Sequence, residues 1–243
     1  MKTAAVLLIL VGCSSPSEEG TPDASMDHDA AIDAAIDAPQ DLYAVSGMCG
    51  VLNDPELLGA PPVLVNDVMT FARAYMDPSD RGLLTPGGRQ IAETPNLGGS
   101  SEMSEIFAFE QLARCEGATL IAPEAQIMYI DQGGKKTDIL VSIDGHTIGV
   151  SVTRAFAFPI GTPYSQQQAT ELLIRKLADV QLATTNVMPV HQWEKQILAY
   201  FAIDDQAAQM VGTVWASLDA NVKADTILLV TATNGDDLFI YQQ

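Results

Sequence analysis

Cysteine is scarce in this chain of 243 residues, with only Cys13, Cys49 and Cys115. So few thiols exclude a disulfide-dense small scaffold, and their spacing matches no zinc-site pattern. Positive charge is scarce as well: 12 lysines and arginines stand against 31 aspartates and glutamates, for a formal net charge of −19. Proteins that neutralise phosphates along a nucleic acid ordinarily carry a basic face, so the bulk charge speaks against a nucleic-acid partner. Long apolar runs are missing too. The run Ala4–Val11 falls far short of the roughly 20 residues that a membrane-spanning helix needs. No period of solenoid length repeats along the chain, which excludes a repeat array.

What is present begins with an export signal. MKTAAVLLILVGCSS carries one positive charge, Lys2, ahead of a short apolar stretch, the pattern of a secretory signal. Its LVGC resembles the lipobox of bacterial lipoproteins. That resemblance implies a signal peptide over residues 1–12, with Cys13 as the first mature residue and the carrier of a membrane-anchoring lipid; Ser14 after it favours the outer membrane of the cell envelope. The plain alternative is a cleaved signal with an incidental cysteine. Residues 13–42 follow as a tether with eight acids, no lysine or arginine and no aromatic residue before Leu42. Such a segment cannot bury enough apolar surface to offset the entropy of ordering, so it reads as a self-repelling spacer, with His28 solvated within it.

From Leu42 onward the composition turns apolar, and residues 43–243 have the length of one α/β domain. Taking the 8 acids and one lysine of the first 42 residues from the totals of 31 and 12 leaves 23 acids against 11 bases in that domain. Cys49 and Cys115 can pair there, closing a loop of about 67 residues worth about 4 kcal/mol in the chain-entropy model, or stay as buried thiols. Periodicity predicts a helix over 61–76, where Val65, Met69, Ala72 and Met76 keep helical spacing, then a long Pro- and Gly-rich loop over 77–100. A helix over 100–117 starts at serine caps and stops at Gly117. ATLIA, AQIMYI, TDILVSI and HTIGVSVTRAF read as strands, the last two joined by the hairpin turn Asp144-Gly145. Residues 165–185 read as a helix, as do HQWEKQILAYFA and DDQAAQMVGTVWASLDANV, before closing strands TILLVTAT and LFIYQ.

A helix, an antiparallel three-strand meander, a helix and a strand, with extra helices, resembles the restriction-endonuclease-like or PD-(D/E)XK superfamily over roughly Ser100 to Thr233. In that superfamily an Asp on the second core strand and an acid-x-Lys on the third meet at a Mg²⁺, often helped by a Glu from the first helix. Carboxylate oxygens suit this hard cation, and the cation acidifies the attacking water. The resemblance puts Asp138 at the family's Asp, and Glu105 or Glu102 at the helical Glu. On the third strand the acid and the lysine are replaced by Ser151 and Thr153. Migrated substitutes are available in Glu124 near the preceding strand and in Lys176, Arg175 and Glu171 on the following helix, with Arg154 adjacent.

The candidate catalytic set is therefore Glu105, Asp138, Arg154 and Lys176, with Asp138 and Glu124 as candidate metal ligands. Each has a plainer role: Asp138 as a strand cap, Glu105 as a solvated helix acid, Arg154 as an ion-pair partner, Lys176 as a lysine at the core edge. Ser151 has no triad partner, since His146 follows a turn and His191 opens a segment without a catalytic motif; Trp193 and Trp215 read as packing residues. Three functions fit: a nuclease-like binding module with a degenerate site, a divergent Mg²⁺-dependent phosphodiesterase, and a lipoprotein acting through contacts with a protein partner. The missing third-strand acid and lysine favour the first.

Overall fold

The computed structural model describes residues 42–95, 97 and 101–242. The signal, the tether, Cys13 and His28 lie outside the described residues.

Seven strands form one mixed sheet: β1 (Tyr43–Gly47), β2 (Val63–Phe71), β3 (Thr119–Pro123), β4 (Ile139–Ile143), β5 (His146–Ala155), β6 (Lys195–Ala202) and β7 (Ile227–Gly235), in the order β1-β2-β7-β6-β5-β4-β3. The middle four run parallel, while β1 flanks them antiparallel on one side and the β3-β4-β5 meander closes the other. The turn that sets the meander's register is Asp144-Gly145. Both residues have positive φ, 49° and 86°, as a two-residue hairpin with the right-handed twist of its strands requires.

Helices cover both faces: α1 (Asp54–Leu58), α2 (Pro86–Glu93), α3 (Glu102–Glu116), α4 (Gln166–Asn186), α5 (Asp205–Ser217) and α6 (Ala220–Lys223). Against α3 pack Ile139, Val141, Ile148, Val150 and Val152 with the aromatic group Tyr43, Phe71 and Phe107. Against α4 and α5 pack Leu198, Tyr200, Leu228 and Val230. Each fully buried aliphatic or aromatic side chain contributes about 1.5–3 kcal/mol relative to exposure, so both layers are needed to hold the sheet. Helix α3 is buried along its whole middle, Met103–Leu112, and stops at Gly117, whose φ of 63° suits a residue without a Cβ.

Several sequence expectations are corrected. Residues 63–71 are a strand: Val65, Asp67, Met69 and Phe71 are buried in alternation, and pairing with β7 outweighs the coincidental helical spacing. HQWEKQILAYFA contributes the central strand β6, every residue of which is buried. A strand covered on both faces shows no alternation, and its unbroken apolar run reads equally well as a helix. The loop over 77–100 contains α2, whose N-cap Thr85 accepts from the Gly88 N–H. AQIMYI is a 3₁₀ turn and an isolated bridge from Tyr129 to Val187, and LFIYQ is a 3₁₀ turn at Leu238–Ile240. Among the described residues no helix is long and apolar enough to cross a membrane.

Candidate functional site

Strand β4 pairs with β5 only between His146 and Val150, whereas β6 accompanies β5 to Ala155. The second half of β5 thus loses its neighbour on one flank, and Asp138 lies there. Its N–H donates to the Val150 carbonyl at 3.1 Å, and its Oδ2 accepts from the Val152 N–H at 2.6 Å. The carboxylate stands in for a missing ladder partner. Across the same flank, the Thr137 and Ser151 hydroxyls lie 3.1 Å apart.

Glu105 reaches the same region from the first turn of α3 and is 4% exposed. The other buried polar residues of this helix are well supplied with partners. Glu110 accepts from the Tyr43 hydroxyl at 2.6 Å and from Thr85 N–H and Oγ1 at 2.7 and 2.6 Å. Gln111 donates to Asp67 and accepts from Thr231, each at 2.8 Å. Glu105 accepts from the Ser101 hydroxyl at 2.5 Å. Burial, and then the charge of Asp138, push Glu105 up to about 8. Burial also raises Asp138, to about 6, against the opposing pull of the Val152 N–H and the Lys176 charge. The charge of Asp138 thus favours the protonated form of Glu105.

Glu124, just past β3, adds its negative charge to both. Burial raises its own pKa against Lys136 and a hydrogen bond from the Leu97 backbone, and its Oε2 is buried without a hydrogen-bond partner. Arg154 donates to the Ile240 carbonyl at 2.8 Å, and its guanidinium lies 5.8 Å from the Phe156 ring centre. Burial lowers its pKa while Tyr241 and Glu105 act in the opposite direction. The C-terminal turn that holds it is itself anchored, since the Thr233 hydroxyl donates to Asp237 and lies 2.8 Å from the Tyr241 hydroxyl.

These side chains fall into two compartments. Glu105 and Glu124 line a hollow of about 10 Å³ together with Glu102, Ile91 and Pro123, room for about one water. Asp138, Arg154, Arg175 and Lys176 line a separate cleft of about 430 Å³, with Ser101, Ser104 and Thr153. The sequence set Glu105, Asp138, Glu124, Arg154 and Lys176 is thus brought into one neighbourhood but divided between two spaces. Among the described residues no group of three His, Cys, Asp or Glu side chains is placed to hold a metal ion. The donors do not fit a Mg²⁺: Glu105 and Glu124 line a different space from Asp138, whose Oδ2 already accepts from the Val152 N–H.

No protein-family model and no solved structure matches the chain. One relative is a protein of an amoeba. Over 164 residues the chain is 37% identical to the AAC-rich mRNA clone AAC4 protein of Dictyostelium discoideum, a stretch covering 65% of this chain and 24% of that one. The match therefore spans about a quarter of the relative's length.

Several other residues have plainer places. Glu171 is exposed and accepts from Gln167 at 2.8 Å. His191 accepts from the Met128 N–H at 2.9 Å. His146 lies 3.0 Å from Glu194 and 3.2 Å from Asp54. Trp193 packs flat on Gly149, where an added Cβ would come within 2.7 Å of the indole. Cys49 and Cys115 are joined in a disulfide. Sequence reasoning took the serines at the start of α3 only as caps and left Ser104, within the helix, unread; Ser101 and Ser104 both line the cleft.

Proposed function

We propose that the chain is an exported lipoprotein of the cell envelope, held in the outer membrane through a lipid on Cys13, and that its domain is a binding module on a restriction-endonuclease-like core. The order α3-β3-β4-β5-α4-β6, with a helix on each face of the sheet and Asp138 immediately before β4, supports the core assignment. The observation that carries the loss of hydrolysis is the flank of β5. Where the superfamily pattern needs an acid and a lysine, Ser151 and Thr153 stand, and the remaining Asp138 serves the backbone of Val152. A lysine from α4 acts on Asp138, but no third ligand joins it among the described residues.

The test of this reading is turnover. The full chain, incubated with Mg²⁺ or Mn²⁺ and an aryl phosphodiester, DNA or RNA, is expected to show no cleavage above that of Asp138→Asn. Metal-dependent cleavage that disappears in Asp138→Asn would overturn it. For the anchor, expression in a bacterium with labelled palmitate is expected to label the wild-type chain and not Cys13→Ser; equal labelling of the two would contradict the assignment.

A further inference from the structure

The strap between β1 and β2 runs to the end of the sheet at which β2, β5 and β6 begin, and it is fastened along its length by groups of different kinds. Its start is bonded covalently, Cys49 to Cys115. Its end is held by Lys195, the first residue of β6, whose buried Nζ donates to the Gly59 and Pro61 carbonyls. Between the two lies α1, five residues long, too short to persist without tertiary contacts. Leu57 seats it in the core, and His146, at the start of β5, meets it from the surface. The His146 Nε2 lies 3.2 Å from the Asp54 Oδ1 in the first turn of α1, and its Nδ1 lies 3.0 Å from the Glu194 Oε2 just ahead of β6. One imidazole thus joins three segments that are remote in sequence.

We infer that His146 is a pH-sensitive clasp for α1, closed in its imidazolium form and opened on the Asp54 side when the ring loses a proton. A neutral imidazole has one N–H and one lone pair, so only the cation donates to both carboxylates at once. The two contacts are not equally durable. Glu194 is tied to β5 by its backbone as well: its N–H donates to the Thr147 carbonyl at 2.8 Å, and its Oε1 accepts from the Thr147 N–H at 3.4 Å. The Asp54 side chain is 72% exposed and has no other hydrogen-bond donor among the described residues. A neutral ring therefore keeps its proton on Nδ1, toward Glu194, and turns a lone pair on Asp54. Of the other charged groups nearby, Glu56 of α1 is turned back onto the Asn53 N–H at 3.3 Å, Lys195 is held by the strap carbonyls, and Asp144 lies in the turn two residues before His146. Glu194 and Asp54 are the groups that raise His146 above its ordinary 6.5. The closed form is thus favoured below pH 6.5 and lost as pH rises through the higher folded midpoint. Exposed ion pairs are weak, so the clasp loosens α1 rather than unfolding the domain.

The test is a nuclear magnetic resonance titration of the full chain, with the His146 ring signal assigned by its loss in His146→Gln, joined to amide hydrogen exchange of α1 from pH 6 to 8.5. The His146 midpoint is expected above 6.5, and Asp54→Asn is expected to lower it by about 0.2–0.7 pH units, the worth of an exposed ion pair. Protection of the Leu57 and Gly59 amides, corrected for intrinsic exchange, is expected to fall about two- to fivefold through the same midpoint. In His146→Gln it is expected to stay at the lower level throughout, with unchanged circular dichroism. A midpoint at or below 6.5, a midpoint unmoved by Asp54→Asn, or the same pH course of protection in His146→Gln as in wild type would overturn the inference.

Discussion

Glu105 is buried in the first turn of α3 with Ser101 as its hydrogen-bond donor, and its proton is retained because burial and Asp138 both oppose its charge. Its folded midpoint, about 8, lies above its ordinary 4.5. Folding therefore favours the protonated form, so the stability this group contributes is present below pH 4.5 and is lost as pH rises to about 8. Asp138 adds a smaller contribution of the same sign, lost between its ordinary 3.8 and about 6. Melting temperature is expected to fall from pH 5 to 8, and Glu105→Gln, which mimics the protonated acid, to flatten most of that slope. A slope unchanged in Glu105→Gln would place the retained proton elsewhere. At this scale the sequence shows Asp138, Ser151 and Thr153 plainly, because strand alternation and the hairpin turn fix their positions. It does not show that Glu105 and Asp138 line different spaces, since that depends on where β4 stops beside β5, a long-range register.

At the scale of elements, legibility follows burial. The helices α3, α4 and α5 and the hairpin β4-β5 are readable because caps, glycine stops and an Asp-Gly turn mark them locally. Strand β6 is not, because a parallel strand covered on both faces loses the polar alternation that separates strand from helix, and β2 is not, because Val65 and Met69 also fall on a helical spacing with Ala72 and Met76. The connector between β1 and α1 is fastened to the end of α3 twice. Cys49 is bonded to Cys115, and the Glu116 carboxylate accepts from the Gly50 and Leu52 N–H groups, each at 2.9 Å. Replacing both cysteines by alanine is expected to lower the free energy of unfolding in urea by about 4 kcal/mol, within the usual 2–5 for a native bridge. A loss below about 1 kcal/mol would mean that the Glu116 hydrogen bonds hold the connector on their own, at about 1 kcal/mol each.

For the whole molecule, the parallel strands β2, β7, β6 and β5 carry their C-terminal ends toward one side, and the cleft lies beside the end of β5, where open α/β sheets ordinarily place their ligands. The chain carries a net charge of −19, which repels polyanions in bulk. We propose that this site keeps the shape of a nuclease core without its metal. The most direct measurement is Mn²⁺ binding to the full chain at pH 7.5, followed by the loss of the free-ion electron paramagnetic resonance signal. No saturable site is expected, with wild type, Asp138→Asn and Glu105→Gln indistinguishable. One bound Mn²⁺ per chain that disappears in Asp138→Asn would contradict it.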